Sequence, residues 1–140
     1  MIRFLFLFLC FLQIAAAQKV QRDVLVLWDS TESSTKDYTQ SLTHQKFEVL
    51  LNHKGMKAHY LDIGKKIPNS IFSKVKNFRA LISWIGDEYT YQPKNVLKLI
   101  NEFSKQNKKI LVLGYLPFIT DQKQKPISLK YINKHIEDLG

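Results

Sequence analysis

Residues 23–29, Asp-Val-Leu-Val-Leu-Trp-Asp, decide the fold. Five consecutive apolar residues end abruptly in a carboxylate, and the hydroxyl-rich run Ser30-Thr31-Glu32-Ser33-Ser34-Thr35 follows. A strand-length run with no polar face has to be covered on both sides, as strands are inside a parallel sheet flanked by helices. This stretch therefore reads as a central strand. Its C-terminal end, carrying Asp29 and Ser30, lies where open α/β sheets place their ligand crevice.

Working outward, the chain alternates. Thr35 is placed to cap a helix running to His53, with Tyr38, Leu42, Val49 and Leu50 as its apolar stripe and Gly55 as its stop. Residues 58–63, AHYLDI, form a second strand. Pro68 opens a short helix through Val75, in which Ile71, Phe72 and Val75 share a face. Residues 79–85, RALISWI, are a third strand. Pro93 begins a helix in which Val96, Leu97, Ile100 and Phe103 recur at three and four residues, with Lys105, Lys108 and Lys109 suiting its C-terminal end. Residues 110–113 are a fourth strand, followed by Gly114. The polar run 120–126, TDQKQKP, reads as a linker, and Leu129, Ile132 and Ile136 stripe a closing helix that ends at Gly140. Strands joined by helices imply right-handed crossovers and a mainly parallel sheet. The expected architecture is a three-layer, flavodoxin-like α/β domain of strand order 2-1-3-4, with no fifth strand visible and the fourth left as an open edge.

Residues 1–17 have Arg3 as their only charge, an unbroken apolar run from Phe4 to Leu12, and Ala15-Ala16-Ala17 at the end. A basic start, a short apolar core and small residues make a secretory signal peptide. The expectation is an exported protein, periplasmic or secreted, with no stable membrane anchor after cleavage. Residues 18–140 then form a single domain. The only cysteine, Cys10, falls in the leader, so the mature domain has neither a disulfide nor a thiol nucleophile of its own. The formal charge is +9, one unit less without Arg3, and all the basic residues except Arg3, Arg22 and Arg79 are lysines. With no arginine cluster or recognition motif beside this charge, no nucleic-acid partner is expected.

Three segments carry a resemblance. VLVLWDSTE (24–32), the run from His44 to Pro68, and ALISWIGDE (80–88) resemble the N-terminal domain of exported bacterial proteins of Pel-type exopolysaccharide biosynthesis. That domain is described as similar to class I glutamine amidotransferases or flavodoxins. In those proteins it precedes a polygalactosaminidase-like glycoside hydrolase and often a polysaccharide deacetylase. The resemblance implies, as partners, a polysaccharide or a glycoside hydrolase or deacetylase. The amidotransferase comparison puts a nucleophile on the turn after the fourth strand, here Gly114-Tyr115-Leu116. A tyrosine does not replace a histidine-activated thiolate, so a glutaminase activity is excluded.

Asp29, Asp62, Asp87 and Glu88 all fall at strand C-termini and converge on one rim. Two carboxylates at a suitable separation are the requirement of glycoside hydrolysis. A solvated rim offers no reason for one of them to hold its proton, so capping and ligand binding are favoured over catalysis. Trp84, Tyr89 and Tyr91 beside Asp87 and Glu88 suit stacking on a pyranose. The expected ligand-binding set is Asp29, Ser30, Asp62, Trp84, Asp87 and Glu88, with no catalytic residue. No metal is expected, because His44 and His53 lie nine residues apart on opposite helix faces. No cofactor is expected either. Glu32 stands where the phosphate loop of a flavodoxin needs glycine, and it adds a charge repelling the phosphate. The function expected is that of an exported, non-catalytic module of exopolysaccharide processing or export, binding sugar polymer or docking a partner. Two alternatives stand beside it: a small glycoside hydrolase using the rim carboxylates, and a flavodoxin-like cofactor binder.

Overall fold

The computed structural model describes residues 20–32 and 37–136. The expected leader, the Thr35 cap and the closing helix's last residues lie outside the described residues, as does the side chain of Ile136. The main sheet holds four parallel strands: β1 (Asp23–Trp28), β2 (Lys57–Asp62), β3 (Ala80–Ile85) and β5 (Lys109–Gly114). Their order is β2-β1-β3-β5, as expected from the unbroken apolar run of β1. A second sheet, not foreseen, pairs the two-residue strands β4 (Tyr89–Thr90) and β6 (Thr120–Asp121). Helices α1 (Leu42–His53), α2 (Ser70–Lys74), α3 (Pro93–Lys105) and α4 (Leu129–Ile136) complete the domain. The architecture is that of a flavodoxin-like, three-layer α/β protein. Among the described residues no helix is long and apolar enough to cross a membrane.

The alternation of β1 divides the core. Leu25 and Leu27 face one layer, where they meet Val75 beyond α2, Val96, Leu97, Ile100 and Phe103 of α3, and Ile132 of α4. Val24 and Val26 face the other, with Leu51 and Phe47 of α1 and Ile82 of β3. Among the described residues α2, α3 and α4 therefore lie on one side of the sheet and α1 on the other.

The start and buried face of α1 differ from expectation. Asp37 caps a short 3-10 turn, Tyr38–Gln40, and Ser41 caps the α-helix by accepting a bond from His44 N at 3.2 Å. The helix then turns Thr43, Phe47 and Leu51 to the sheet. Val49 and Leu50, expected in the stripe, are 76% and 58% exposed. In α4 likewise Ile132 is buried, whereas Leu129 is 73% exposed. Gly55, at φ +66°, ends α1 as expected. The run 120–126 is not a linker but a structured turn: Thr120 pairs with Tyr89, and Asp121 Oδ1 accepts from the amides of Lys123 and Lys125 at 2.9 Å each.

The burial pattern orders the strands by protection. Every residue from Val24 to Trp28 is buried, whereas β5 has one neighbour strand and leaves Leu111 40% exposed. Amide exchange is expected to be slowest in β1 and faster in β5. Slower exchange in β5 than in β1 would overturn the order.

Candidate functional site

The C-terminal ends of β1, β2 and β3 form the rim, and their carboxylates are engaged by the chain itself. Asp29 is 1% exposed. Its Oδ1 accepts from Thr31 N at 2.8 Å and from Thr31 Oγ1 at 2.5 Å, closing the turn after β1. Asp62 Oδ1 accepts from Ser30 N at 3.1 Å and from Gly64 N at 3.0 Å, tying the β2 turn to the β1 turn. Its other oxygen meets Lys65 Nζ at 3.0 Å. Gly64 is packed so closely here that a Cβ would lie 2.5 Å from Asp29 Oδ1 and 2.8 Å from Ser30 Oγ.

Asp29 departs from what the sequence suggested. It is not solvated: burial, aided by the charges of Asp62 and Asp87 and opposed by the bonds from Thr31, pushes its carboxyl above the ordinary value of 3.8. Its Oδ2 is buried with no hydrogen-bond partner. Because the folded value is the higher one, Asp29's contribution to stability is complete below 3.8 and is lost as pH rises through the folded value. Wild type is therefore expected to gain stability relative to Asp29→Asn on acidification from about pH 7.5 to about pH 4, measured by urea unfolding at each pH. A gap that is flat or widens in the opposite sense would contradict the assignment.

The crevice between β1 and β3, the topological switch point of such a sheet, is filled from within. The register of β1 with β3 ends at Leu27 and Ser83. Just beyond it, the buried Thr43 hydroxyl accepts from Trp84 N at 3.1 Å and lies 3.2 Å from Leu27 O and 3.3 Å from Trp84 O. Above it Glu32 reaches across, and its Oε1 accepts from Gly86 N at 2.7 Å. Glu32 thus latches the β1 turn to the β3 turn, a role that its position in a hydroxyl run did not reveal.

The other expected residues are dispersed. The Trp84 ring packs edge-on against Phe47, with centroids 6.2 Å apart, on the α1 face. Asp87 is exposed beside Asp29. Glu88 belongs one strand over, in a cavity of about 320 Å³ between the turns after β3 and β5, with Gly114, Tyr115, Leu116, Ile119 and Thr120. Tyr91 lines a separate cavity of about 270 Å³ with Lys94, Asn95 and Asp121. Tyr115 and Leu116, which the sequence marks only as a turn without a thiol nucleophile, are half-exposed walls of the cavity of about 320 Å³ at the open end of β5.

Away from the rim, Tyr60 donates to Glu48 and sits 2.9 Å from His44 Nδ1, with the Tyr38 ring tilted against it, centroids 4.6 Å apart. Burial and the bond to Glu48 raise the Tyr60 phenol above its ordinary value. His53 is exposed at the end of α1, on another face from His44. Among the described residues no three of His, Cys, Asp and Glu come together as a metal site. The chain matches no protein-family model, no curated protein and no solved structure.

Proposed function

We propose that the chain is a binding module without chemistry of its own, exported and serving polysaccharide processing or export, and that it holds a sugar unit in the cavity of Glu88, Tyr115, Leu116 and Thr120. The observation that carries this reading is the composition of that cavity. At about 320 Å³ it stands at the small end of ligand sites, which run from about 300 to 1,000 Å³. Its walls are aromatic and aliphatic, and its polar side chains are one carboxylate, one phenol and one hydroxyl. A sugar ring has an apolar C–H face that stacks on an aromatic ring and equatorial hydroxyls that donate to a carboxylate. The resemblance to exopolysaccharide proteins points to the same class of ligand. The filled β1–β3 crevice supports the absence of a flavin or nucleotide, since that is where such a fold would seat one.

One observation favours the hydrolase alternative. Asp29 has the raised proton affinity that a general acid needs. Against it, the carboxyl is enclosed by Thr31, Ser30 and Gly64 and presents no exposed face to a substrate.

Calorimetric titration with soluble oligosaccharides, neutral and amino-bearing, tests the reading. Tyr115→Ala is expected to weaken binding by about tenfold or more, and Asp29→Asn to leave it unchanged. Saturable binding that Asp29→Asn abolishes and Tyr115→Ala spares would move the ligand to the rim.

A further inference from the structure

Among the described residues the α1 face of the sheet is only half covered. Four strands at about 4.8 Å spacing make a face about 19 Å wide, and helices pack on it about 10 Å apart, so each face has room for two. Among the described residues the opposite face carries α2 and α3, with α4 packed chiefly against α3, whereas here α1 is alone. Its His44 and Glu48 lean toward Tyr60 of β2, and Phe47 reaches Trp84 of β3. Beyond that contact nothing covers β5 among the described residues.

The uncovered strip is apolar. Ile110 and Val112 pack into the three-helix layer, so by strand alternation Lys109, Leu111 and Leu113 face the α1 side. In register, Leu111 lies beside Ile82 and Leu113 beside Trp84. Leu111 is 40% exposed. The flank of α1 turned away from β2 adds Leu50, 58% exposed, which stands one turn from Lys46. The result is a trough with a floor of Trp84, Leu111 and Leu113, a wall at Leu50, and lysines at Lys46 and Lys109.

We propose that this trough is the seat of a helix from a partner protein, an amphipathic helix with an apolar stripe flanked by acidic side chains. Width specifies a helix, because a face with room for two that carries α1 alone among the described residues leaves about one helix diameter beside it. Charge specifies the flanks. Glu48 is the only carboxylate of α1 and lies on its β2 side, and neither β3 nor β5 carries one. A second copy of this chain fits less well. A two-fold axis through the trough would set Lys46 and Lys109 of both copies against one another, in a protein already at +9. The site is separate from the ligand cavity, so its failure leaves the sugar-binding reading untouched.

The test uses a fluorescein-labelled 18-residue peptide with leucines at i, i+3, i+4 and i+7 and glutamates on both flanks, beside its counterpart with lysines for the glutamates. Anisotropy titration is expected to show saturable binding of the acidic peptide and binding weaker by about tenfold or more for the basic one. Leu111→Glu is expected to weaken the acidic peptide by a similar factor. Leu50→Glu, on an exposed helix position, gives the same readout should the strand variant fail to fold. Lys46→Glu with Lys109→Glu should reverse the preference between peptides. No saturable binding of the acidic peptide, equal binding of both, or a concentration-dependent dimer abolished by Leu50→Glu would each overturn the proposal.

Discussion

Gly114→Ala is expected to lower the stability of the domain by at least about 3 kcal/mol. Gly114 ends β5 at φ +71°, a conformation that costs an L-residue about 1–2 kcal/mol by itself. The larger effect is contact. A Cβ there would lie 2.2 Å from the carbonyl oxygen of Ile85 and 3.0 Å from the Trp84 ring. The carbonyl is backbone, fixed by the bond that Tyr115 N donates to it at 2.9 Å, so it cannot swing away as a side chain would. Relief requires breaking the junction between β3 and β5, which is also the floor of the ligand cavity. Gly55→Ala is the control, with nearly the same φ, +66°, but only the tip of Arg22 within 4.0 Å. It is expected to cost only the conformational part, about 1–2 kcal/mol. Equal losses in urea unfolding would show that contact at Gly114 is not what matters.

Thr43→Val is expected to cost about 2–3 kcal/mol, and Thr43→Ser under about 1 kcal/mol. Valine keeps the shape and removes the hydroxyl. The Trp84 amide, just past the end of the β1–β3 register, then loses its acceptor in a site where Thr43 is fully buried. A buried donor without a partner costs its whole desolvation, which outweighs the modest gain of an added methyl. Serine retains the bond. If valine proves neutral or stabilising, the hydroxyl is not what holds the two strands together at the switch point.

Thr43 also marks where reading the sequence stopped working. The central strand was legible because its apolar run needs no partner to interpret, and α3 was legible because Val96, Leu97, Ile100 and Phe103 are both apolar and periodic. In α1 the most buried residue is a threonine, Thr43, while two aliphatic side chains about two turns on, Val49 and Leu50, are exposed. A search for apolar periodicity follows the hydrophobic residues and so rotates the helix to the wrong face. The helix start, at Ser41 and not Thr35, compounds the error.

The site was legible by position and opaque by role. Strand ends locate Asp29 and Asp62 without any distance being known. That their oxygens close turns against Thr31, Ser30 and Gly64 depends on contacts across 32 residues of sequence in the case of Ser30 and Asp62. Glu32 carried the same difficulty further, since its bond to Gly86 spans 54 residues. Burial of Asp29 is likewise a property of the assembled loops, and this is why a carboxyl that looked solvated holds its proton more tightly. The cavity at Tyr115 required the β4–β6 pairing, two strands too short to show any periodicity.

The most direct test of a non-catalytic module binding sugar between β3 and β5 is one NMR titration read from both partners. Uniformly ¹⁵N-labelled protein is mixed with an oligosaccharide selected by calorimetry, and the amide shifts and the sugar's anomeric signals are followed in the same tube. Shifts concentrated at Glu88, Gly114, Tyr115 and Thr120 are expected, with anomeric signals that keep their intensity over days. New reducing-end signals, or shifts confined to Thr31, Ser30 and Gly64, would contradict it.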